Sequence, residues 1–96
     1  MIRKGKFRFR LYVADDAENS VRAVANLAAL CREYLAGHYE IEVVDVLKHP
    51  QRALSDGIFM TPTLVRLAPL PVRKVVGTLS DTQAVLQALG LQAEAA

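Results

Sequence analysis

Few side chains in the sequence have the chemistry that a catalytic or metal-binding site requires. The single cysteine, Cys31, lies within an apolar helical pattern, whereas reactive cysteines need exposure and a nearby cation or helix N-terminus. His38 and His49 have no further ligand at metal-binding spacing. Asp15 and Asp16 are adjacent, so their carboxylates point apart and a solvated loop is the simpler interpretation. We therefore expect no catalytic residue, no metal and no cofactor.

The composition narrows the class of protein further. No glycine-rich phosphate loop is present, so any ATP would belong to a partner. One cysteine excludes an intramolecular disulfide and is consistent with a reducing compartment. The formal net charge of +2 is too small to indicate nucleic-acid binding. The sequence contains no run of roughly 18 apolar residues, the length that a membrane-spanning helix needs. We expect one cytoplasmic domain over residues 1–96 that binds neither nucleic acid nor membrane.

The first half of the chain predicts two strands and two helices. Apolar residues alternate from Phe7 to Val13, as in a strand with one buried face. A helix capped by Asn19 or Ser20 follows and stops near Gly37. Its predicted buried stripe comprises Val21, Val24, Ala28, Cys31 and Leu35, widened by Leu27, Leu30 and Tyr34.

A second strand from Tyr39 to Val46 precedes a short helix that begins at Pro50 and ends at Asp56-Gly57. This order predicts a parallel pair of strands joined by a right-handed crossover. The last third predicts strands at 64–67 and 72–76, joined by a segment that contains Pro69 and Pro71. A final helix capped by Ser80 and closed by Gly90 completes the order β-α-β-α-β-β-α, which is thioredoxin-like.

Pro62, in Met60-Thr61-Pro62-Thr63, occupies the place where thioredoxin-like folds usually carry a cis proline facing the first turn of helix 1. Redox members of that fold keep a Cys-x-x-Cys pair in this turn. Residues 14–20 contain no sulfur here. The sequence therefore predicts a redox-derived scaffold from which the redox chemistry has been lost.

Five short motifs lie in order along the chain from about Phe9 to Leu89. They are Leu11-Tyr12-Val13-Ala14, Asn19-Ser20-Val21-Arg22-Ala23, Val44-Asp45-Val46-Leu47-Lys48 with Pro50-Gln51, Thr61-Pro62-Thr63-Leu64, and Pro69-Leu70-Pro71-Val72-Arg73-Lys74-Val75-Val76-Gly77 with Leu79-Ser80-Asp81. Each motif alone is weak, whereas five in order at matching spacing are specific. Together they resemble the KaiB family of circadian-clock proteins.

The resemblance implies a non-enzymatic protein that binds KaiC, a hexameric RecA-like ATPase, and modulates its phosphorylation and ATPase cycle. It also implies that the chain can form a dimer or tetramer, and that its C-terminal half can switch between a tetramer-forming fold and a thioredoxin-like, partner-binding fold. The implied fold-switch segment includes Pro69, Pro71, Ala88 and Gly90. The basic partner-binding positions of the family match Arg22, Arg66 and Arg73, with Thr63 beside them and Lys74 extending the patch. Each arginine alone has a simpler interpretation as a solvated surface charge. Arg66 and Arg73 alternate outward from strands whose opposite face is apolar, which a plain solvent-exposed face would also show.

The sequence departs from cyanobacterial members of the family at three places. Those members often end in a long acidic tail, whereas this chain ends with residues 92–96, Gln-Ala-Glu-Ala-Ala. Residues 15–18 replace a loop with Gly and Pro, and these two differences put a KaiA partner and a complete oscillator in doubt. Ala88 and Gly90 stand where Gly and Asp are common. Because alanine favours helix over glycine by roughly 1 kcal/mol, Ala88 favours the thioredoxin-like ending.

Two rival interpretations remain at this stage. A glutathione-binding module could use Thr61-Pro62 for backbone contacts, Leu79-Ser80-Asp81 for the γ-glutamyl end and Ser20 to activate the thiol. It would lack the glutaredoxin cysteine and the second domain of the transferases. The other rival is a KaiB-like sensor domain that interacts with a histidine kinase. Met1 and the short tail resemble natural termini, which favours the separate KaiB-like protein.

Overall fold

The computed structural model describes residues 6–15 and 17–91, which form a four-stranded sheet and three helices. The elements are β1 (Phe7–Val13), α1 (Glu18–Tyr34), β2 (Tyr39–Asp45), α2 (Pro50–Ser55), β3 (Thr63–Ala68), β4 (Arg73–Val76) and α3 (Thr82–Ala88). Their order confirms the predicted β-α-β-α-β-β-α arrangement. Asp16 and the tail at 92–96, which figure in the comparison of the sequence with cyanobacterial members of the family, lie outside the described residues.

The sheet has the strand order β2-β1-β3-β4. β1 and β2 are parallel, in a register that runs from Phe7 opposite Tyr39 to Val13 opposite Asp45. β3 is antiparallel to both β1 and β4. The parallel pair requires a crossover, which α1 supplies, while the tight succession of β3 and β4 produces the antiparallel half.

Apolar side chains cover both faces of the sheet, so the helices form two layers around it. The core on the side of α1 and α3 comprises Phe9, Leu11, Val13, Ala23, Leu27, Leu30, Cys31, Leu35, Leu64, Leu79, Val85, Leu86 and Leu89. The smaller core on the side of α2 comprises Tyr12, Val44, Ala53, Ile58 and Val65. Because neighbouring residues of a strand point to opposite faces, β1 contributes to both cores.

The predicted buried stripe of α1 is partly wrong. Val21, Val24 and Tyr34 are exposed. The residues that α1 buries are Ser20, Ala23, Leu27, Leu30 and Cys31. This helix carries apolar residues on more than one side, so helical spacing alone allowed two overlapping stripes.

The predicted caps of two helices are also corrected. α1 begins after Ala17 with no side-chain cap, while the buried Ser20 Oγ accepts a hydrogen bond of 3.0 Å from Ala14 N in the preceding loop. α3 is capped by Asp81, whose Oδ1 accepts from Ala84 N at 3.2 Å, rather than by Ser80. Serine and aspartate are both good N-cap residues, so their adjacency hid which one the chain uses.

Leu79, between β4 and α3, combines a buried side chain with a φ of 63°. This left-handed conformation is a strained one for a bulky residue. The side chain packs in the core beside α1 and α3.

Cys31 lies in the same core, and its burial raises the pKa of the thiol to about 11. A thiol in this position stays protonated near neutral pH. Within the described residues, no helix has the length and apolar character needed to cross a membrane.

Candidate partner-binding surface

Pro62 immediately precedes β3 and lies at the end of the sheet where β1 stops and the chain turns into α1. The pairing of Tyr12 with Thr63 places the Thr61-Pro62 bond, which is cis, beside the loop that leads into α1. Thr63 is buried, and its Oγ1 donates a hydrogen bond of 2.6 Å to Met60 O. In this structure Thr63 therefore supports the turn before β3.

Four exposed apolar side chains belong to segments that meet at this end of the sheet: Val21, Phe59, Met60 and Val76, which we call the apolar rim. Phe59 is 87% exposed, and Met60 adjoins the proline turn. Val76 pairs with Thr63, and the following residue, Gly77, donates from its backbone N to Pro62 O at 2.9 Å. Val21 lies in the first turns of α1. Large exposed apolar side chains are candidates for a binding surface.

Sequence reasoning missed Phe59 and Met60 as surface residues. The signal was present, because two large apolar residues follow Gly57 and Ile58 in a loop that belongs to no periodic segment. Apolar residues in a short loop have few core positions to fill, since loops run over the surface.

Arg22 is exposed on α1, next to the apolar rim. Its Nη2 lies 2.8 Å from Glu18 Oε2, in an ion pair four residues apart on the helix. A cation in the first turns of a helix opposes the helix dipole, and the acidic partner in the first turn offsets that cost. The arginine therefore remains available at the surface with little effect on the helix.

The structure contradicts the expectation that Arg66 is a surface residue. Its side chain points towards α3, and the residue is only 5% exposed. Its Nη1 donates to Leu89 O, and its Nη2 donates to Pro71 O at 2.7 Å. Alternation along β3 predicted an outward position, but the face that carries Arg66 is covered by the end of α3. Burial, with a smaller effect of Arg73, lowers the pKa of Arg66.

Arg73 and Lys74 are both exposed on β4 but point to opposite faces of the sheet. Arg73 lies across from Arg66, on the face of α3, whereas Lys74 lies across from Val65, on the face of α2. Lys74 Nζ donates to Asp56 O at 2.6 Å. Adjacent strand residues alternate in direction, so Arg73 lies on the side of α3 and Lys74 on the side of α2.

The structure places the five residues inferred from the resemblance in different surroundings. Arg22, Arg73 and Lys74 are exposed, and the Lys74 ammonium binds the end of α2, whereas Thr63 and Arg66 are buried. In this structure the side chains of Arg22 and Arg73 are exposed and make no hydrogen bond to another element among residues 6–15 and 17–91.

The inferred fold-switch positions lie near the end of α3 and in the β3–β4 connection. The bonds preceding Pro69 and Pro71 are both cis. Ala88 is the last residue of α3, and Gly90 follows it with a φ of 74°. A Cβ at Gly90 would lie 3.3 Å from Arg66 Nη1, so the guanidinium and this glycine are in close contact.

A charged network on the α2 face was not anticipated from the sequence. Arg10 Nε lies 2.9 Å from Glu42 Oε1, and Arg10 Nη1 lies 3.1 Å from Asp56 Oδ2. Arg52 binds both oxygens of Glu42, at 2.9 Å each. These hydrogen bonds, chiefly that from Arg52, lower the pKa of Glu42 to about 2.

Tyr12 and Asp56 complete this network. The Tyr12 hydroxyl donates to the Asp56 carboxylate, which lowers the pKa of Asp56, while burial is the main cause of the raised pKa of Tyr12. A cavity of about 250 Å³ lies alongside, lined by Arg10, Tyr12, Gln51, Arg52, Ser55 and Asp56. Its arginines are matched by carboxylates, so the network joins α2 to the sheet rather than forming a free anion site.

Comparison with known proteins assigns the chain to a protein family. Residues 10–91 match the family model described as the KaiB domain. The chain belongs to the KaiB family. It is 47% identical over 88 residues to a circadian clock oscillator protein KaiB of Microcystis aeruginosa, an alignment that covers 92% of this chain and 85% of the relative. It is 39% identical over 85 residues to the circadian clock protein KaiB3 of a Synechocystis species, covering 88% and 83%.

Solved structures confirm the thioredoxin-like fold of this KaiB-family chain. The N-terminal domain of Synechococcus elongatus SasA superposes with a TM-score of 0.75 at 21% identity, covering 98% of this chain and 92% of that one. A thioredoxin of Fasciola hepatica superposes with a TM-score of 0.71 at 18% identity, covering 93% and 84%. At these identities the likeness concerns the fold alone. In this KaiB-family chain, the turn at residues 14–20 contains no cysteine, and Cys31 is in the core.

Proposed function

We propose that this KaiB-family chain binds a KaiC-like hexameric ATPase and modulates its phosphorylation and ATP hydrolysis, with no catalytic step of its own. Membership of the KaiB family over residues 10–91 is the observation that carries the proposal. The relatives named as circadian clock proteins support a role in timing.

The apolar rim with Arg22 is the surface that we assign to this interaction. Interfaces combine exposed apolar groups, which bury area, with a few arginines that set orientation and attraction. Phe59, Met60 and Arg22 provide both kinds of group in segments that meet at one end of the sheet. Arg73 supplies a second contact from the β3–β4 side.

The burial of Cys31 supports binding over thiol chemistry. A glutathione-dependent module needs an accessible, activated sulfur, and the thiol here is buried with a raised pKa. Ser20, the other candidate group for that rival, is buried and accepts a hydrogen bond from Ala14 N. Both observations weigh against a glutathione-binding function.

A KaiB-like domain that interacts with a histidine kinase is the second candidate. The SasA domain shares the fold at 21% identity, whereas relatives named KaiB reach 47%. The higher identity favours the KaiB function over a kinase sensor.

The test is complex formation between the purified full chain and a KaiC-like hexamer. Size-exclusion chromatography with light scattering should show the chain co-eluting with the hexamer, and its addition should change the phosphorylation level and the rate of ATP hydrolysis. A histidine kinase offered in a parallel experiment should not be retained. Failure to associate with the ATPase at tens of micromolar protein would overturn the proposal.

A further inference from the structure

Arg66 connects two segments that are far apart in the chain. One terminal nitrogen donates to the carbonyl of Leu89, the residue that follows α3, and the other donates to the carbonyl of Pro71, between β3 and β4. A planar guanidinium can make two such bonds at once because its donors form a rigid fork. This one side chain therefore holds the end of α3 and the β3–β4 connection together.

The charge of Arg66 has no acidic partner within residues 6–15 and 17–91. Its Nε is buried without a hydrogen-bond partner, and the nearest opposite charge is the partial negative charge of the α3 carbonyl end. Arg73, directly across the strand pair, adds a like charge. Under these conditions Arg66 contributes the geometry of its two hydrogen bonds rather than a charge that a partner could reach.

The β3–β4 connection, residues 69–72, presents the exposed side chains of Leu70 and Val72 and leads directly into Arg73. Outside the strand ladder, the bond from Arg66 Nη2 to Pro71 O is the one hydrogen bond to residues 69–72 among the described residues. The position of this exposed segment therefore depends on Arg66.

We propose that Arg66 serves partner binding as a positioning residue, which holds the β3–β4 connection and Arg73 in the arrangement that the partner meets. The inference rests on the proposed function but assigns Arg66 a different role from the one implied by family resemblance. Arg66 does not touch the partner. Gly90 contributes to the same arrangement, because a Cβ at this position would lie 3.3 Å from Arg66 Nη1. The φ of 74° at position 90 also favours glycine.

The test uses Arg66→Lys, which keeps the charge but lacks the planar fork that spans the two carbonyls, with Gly90→Ala as a second way to disturb the contact. Hydrogen exchange of the free protein should accelerate by on the order of tenfold at the amides of 89–91, which are hydrogen-bonded in the native structure. Exchange in β1 should stay unchanged. Val44→Ala, in the opposite core, is the control for general destabilisation.

Binding to the ATPase should weaken about fivefold to tenfold in Arg66→Lys and in Gly90→Ala. It should stay within about twofold in Val44→Ala, because that substitution leaves the β3–β4 connection in place. The salt dependence of affinity should match the wild type in Arg66→Lys and decrease in Arg73→Ala, which removes an exposed charge. Unchanged exchange at 89–91 in Arg66→Lys would overturn the positioning role. Full affinity in Arg66→Lys, with a loss in Arg66→Ala that shares the salt dependence of Arg73→Ala, would identify a direct contact instead.

The exchange measurement is made without a partner, so it tests the positioning role of Arg66 separately from the proposed binding to the ATPase. If the wild-type chain does not bind the ATPase, the proposed function fails. The exchange rates at 89–91 then still decide whether Arg66 holds the connection.

Discussion

Arg10 Nη1 lies 3.1 Å from Asp56 Oδ2 and thereby joins β1 to the residue that follows α2. The same guanidinium binds Glu42 on β2 through its Nε. One arginine thus contacts two carboxylates from two elements, which attaches the short helix to the sheet. The stability of this face should depend on the ionisation of those carboxylates.

The network predicts a loss of stability in acid. The pKa of Glu42 is lowered to about 2 in the folded chain, whereas an unfolded glutamate titrates near 4.3. Its stabilising effect is therefore complete above about pH 5 and is lost as the pH falls towards 2. Because Glu42 is about half exposed, we expect roughly 1 kcal/mol in the free energy of unfolding rather than the full value of the shift.

Urea unfolding of wild type and Glu42→Gln at pH 7, 5 and 3 measures this effect. The difference in stability between the two should be largest at pH 7 and narrow at pH 3. Glu40→Gln is the matched control, since Glu40 lies on the same strand with longer ion pairs of 3.3 and 3.6 Å. A Glu42→Gln difference that stays constant over this range contradicts the prediction.

Arg22→Ala and Arg73→Ala should weaken binding to the ATPase while leaving stability within about 0.5 kcal/mol, as is usual for surface substitutions. Each removes an exposed cation that the fold does not require. Arg8→Ala is the control for Arg22, because the two side chains are 58% and 60% exposed and each has one acidic neighbour. Calorimetric titration at two salt concentrations should show losses that shrink at high salt. Equal affinities for all three variants would remove both arginines from the interface.

Cys31→Ser should lower the free energy of unfolding by about 1 to 3 kcal/mol, because it buries a hydroxyl in an apolar core. Partner binding should persist at temperatures where the variant is folded. The native wild-type thiol should react with an aromatic disulfide reagent far more slowly than the unfolded chain does. Rapid reaction of the native protein, or reduction of insulin that is lost in Cys31→Ser, would show active redox chemistry.

Asp81→Ala should destabilise the protein by about 1 kcal/mol, whereas Ser80→Ala should cost a few tenths at most. The reason is that the Asp81 carboxylate accepts the bond from Ala84 N, while Ser80 Oγ lies 3.1 Å from Thr78 Oγ1 in the loop. Thermal unfolding followed by circular dichroism compares the two variants. The reverse ranking would restore Ser80 as the cap.

Local patterns predicted the element order well because each element carries its own signal. Alternation marked β1, Pro50 marked the start of α2, and Gly90 marked the end of α3. The patterns did not distinguish Ser80 from Asp81, since either residue can cap a helix. They also misplaced Val21 and Val24, because an alanine-rich helix offers more than one apolar side and only packing selects among them.

The candidate surface was harder to predict, since it depends on tertiary packing. Alternation along β3 placed Arg66 outward, and only the position of α3 shows that this face is covered. Lys74 follows Arg73 in sequence, yet the pleat of the strand sends it to the opposite face. The Arg10–Glu42–Asp56 network joins residues that lie 32 and 46 positions apart, which no local pattern reports.

The strained backbone at Leu79 limits which residues that position can accept. Glycine would relieve the left-handed conformation, which costs a leucine on the order of 1 to 3 kcal/mol, but it would also empty a core site. Losing a buried leucine side chain costs about 2 to 5 kcal/mol, so the loss of core packing outweighs the relief of backbone strain. Asparagine, the usual non-glycine choice for such a φ, would bury an amide. We therefore expect a saturation library at position 79 to recover leucine and methionine, with glycine depleted although the backbone angle alone would select it.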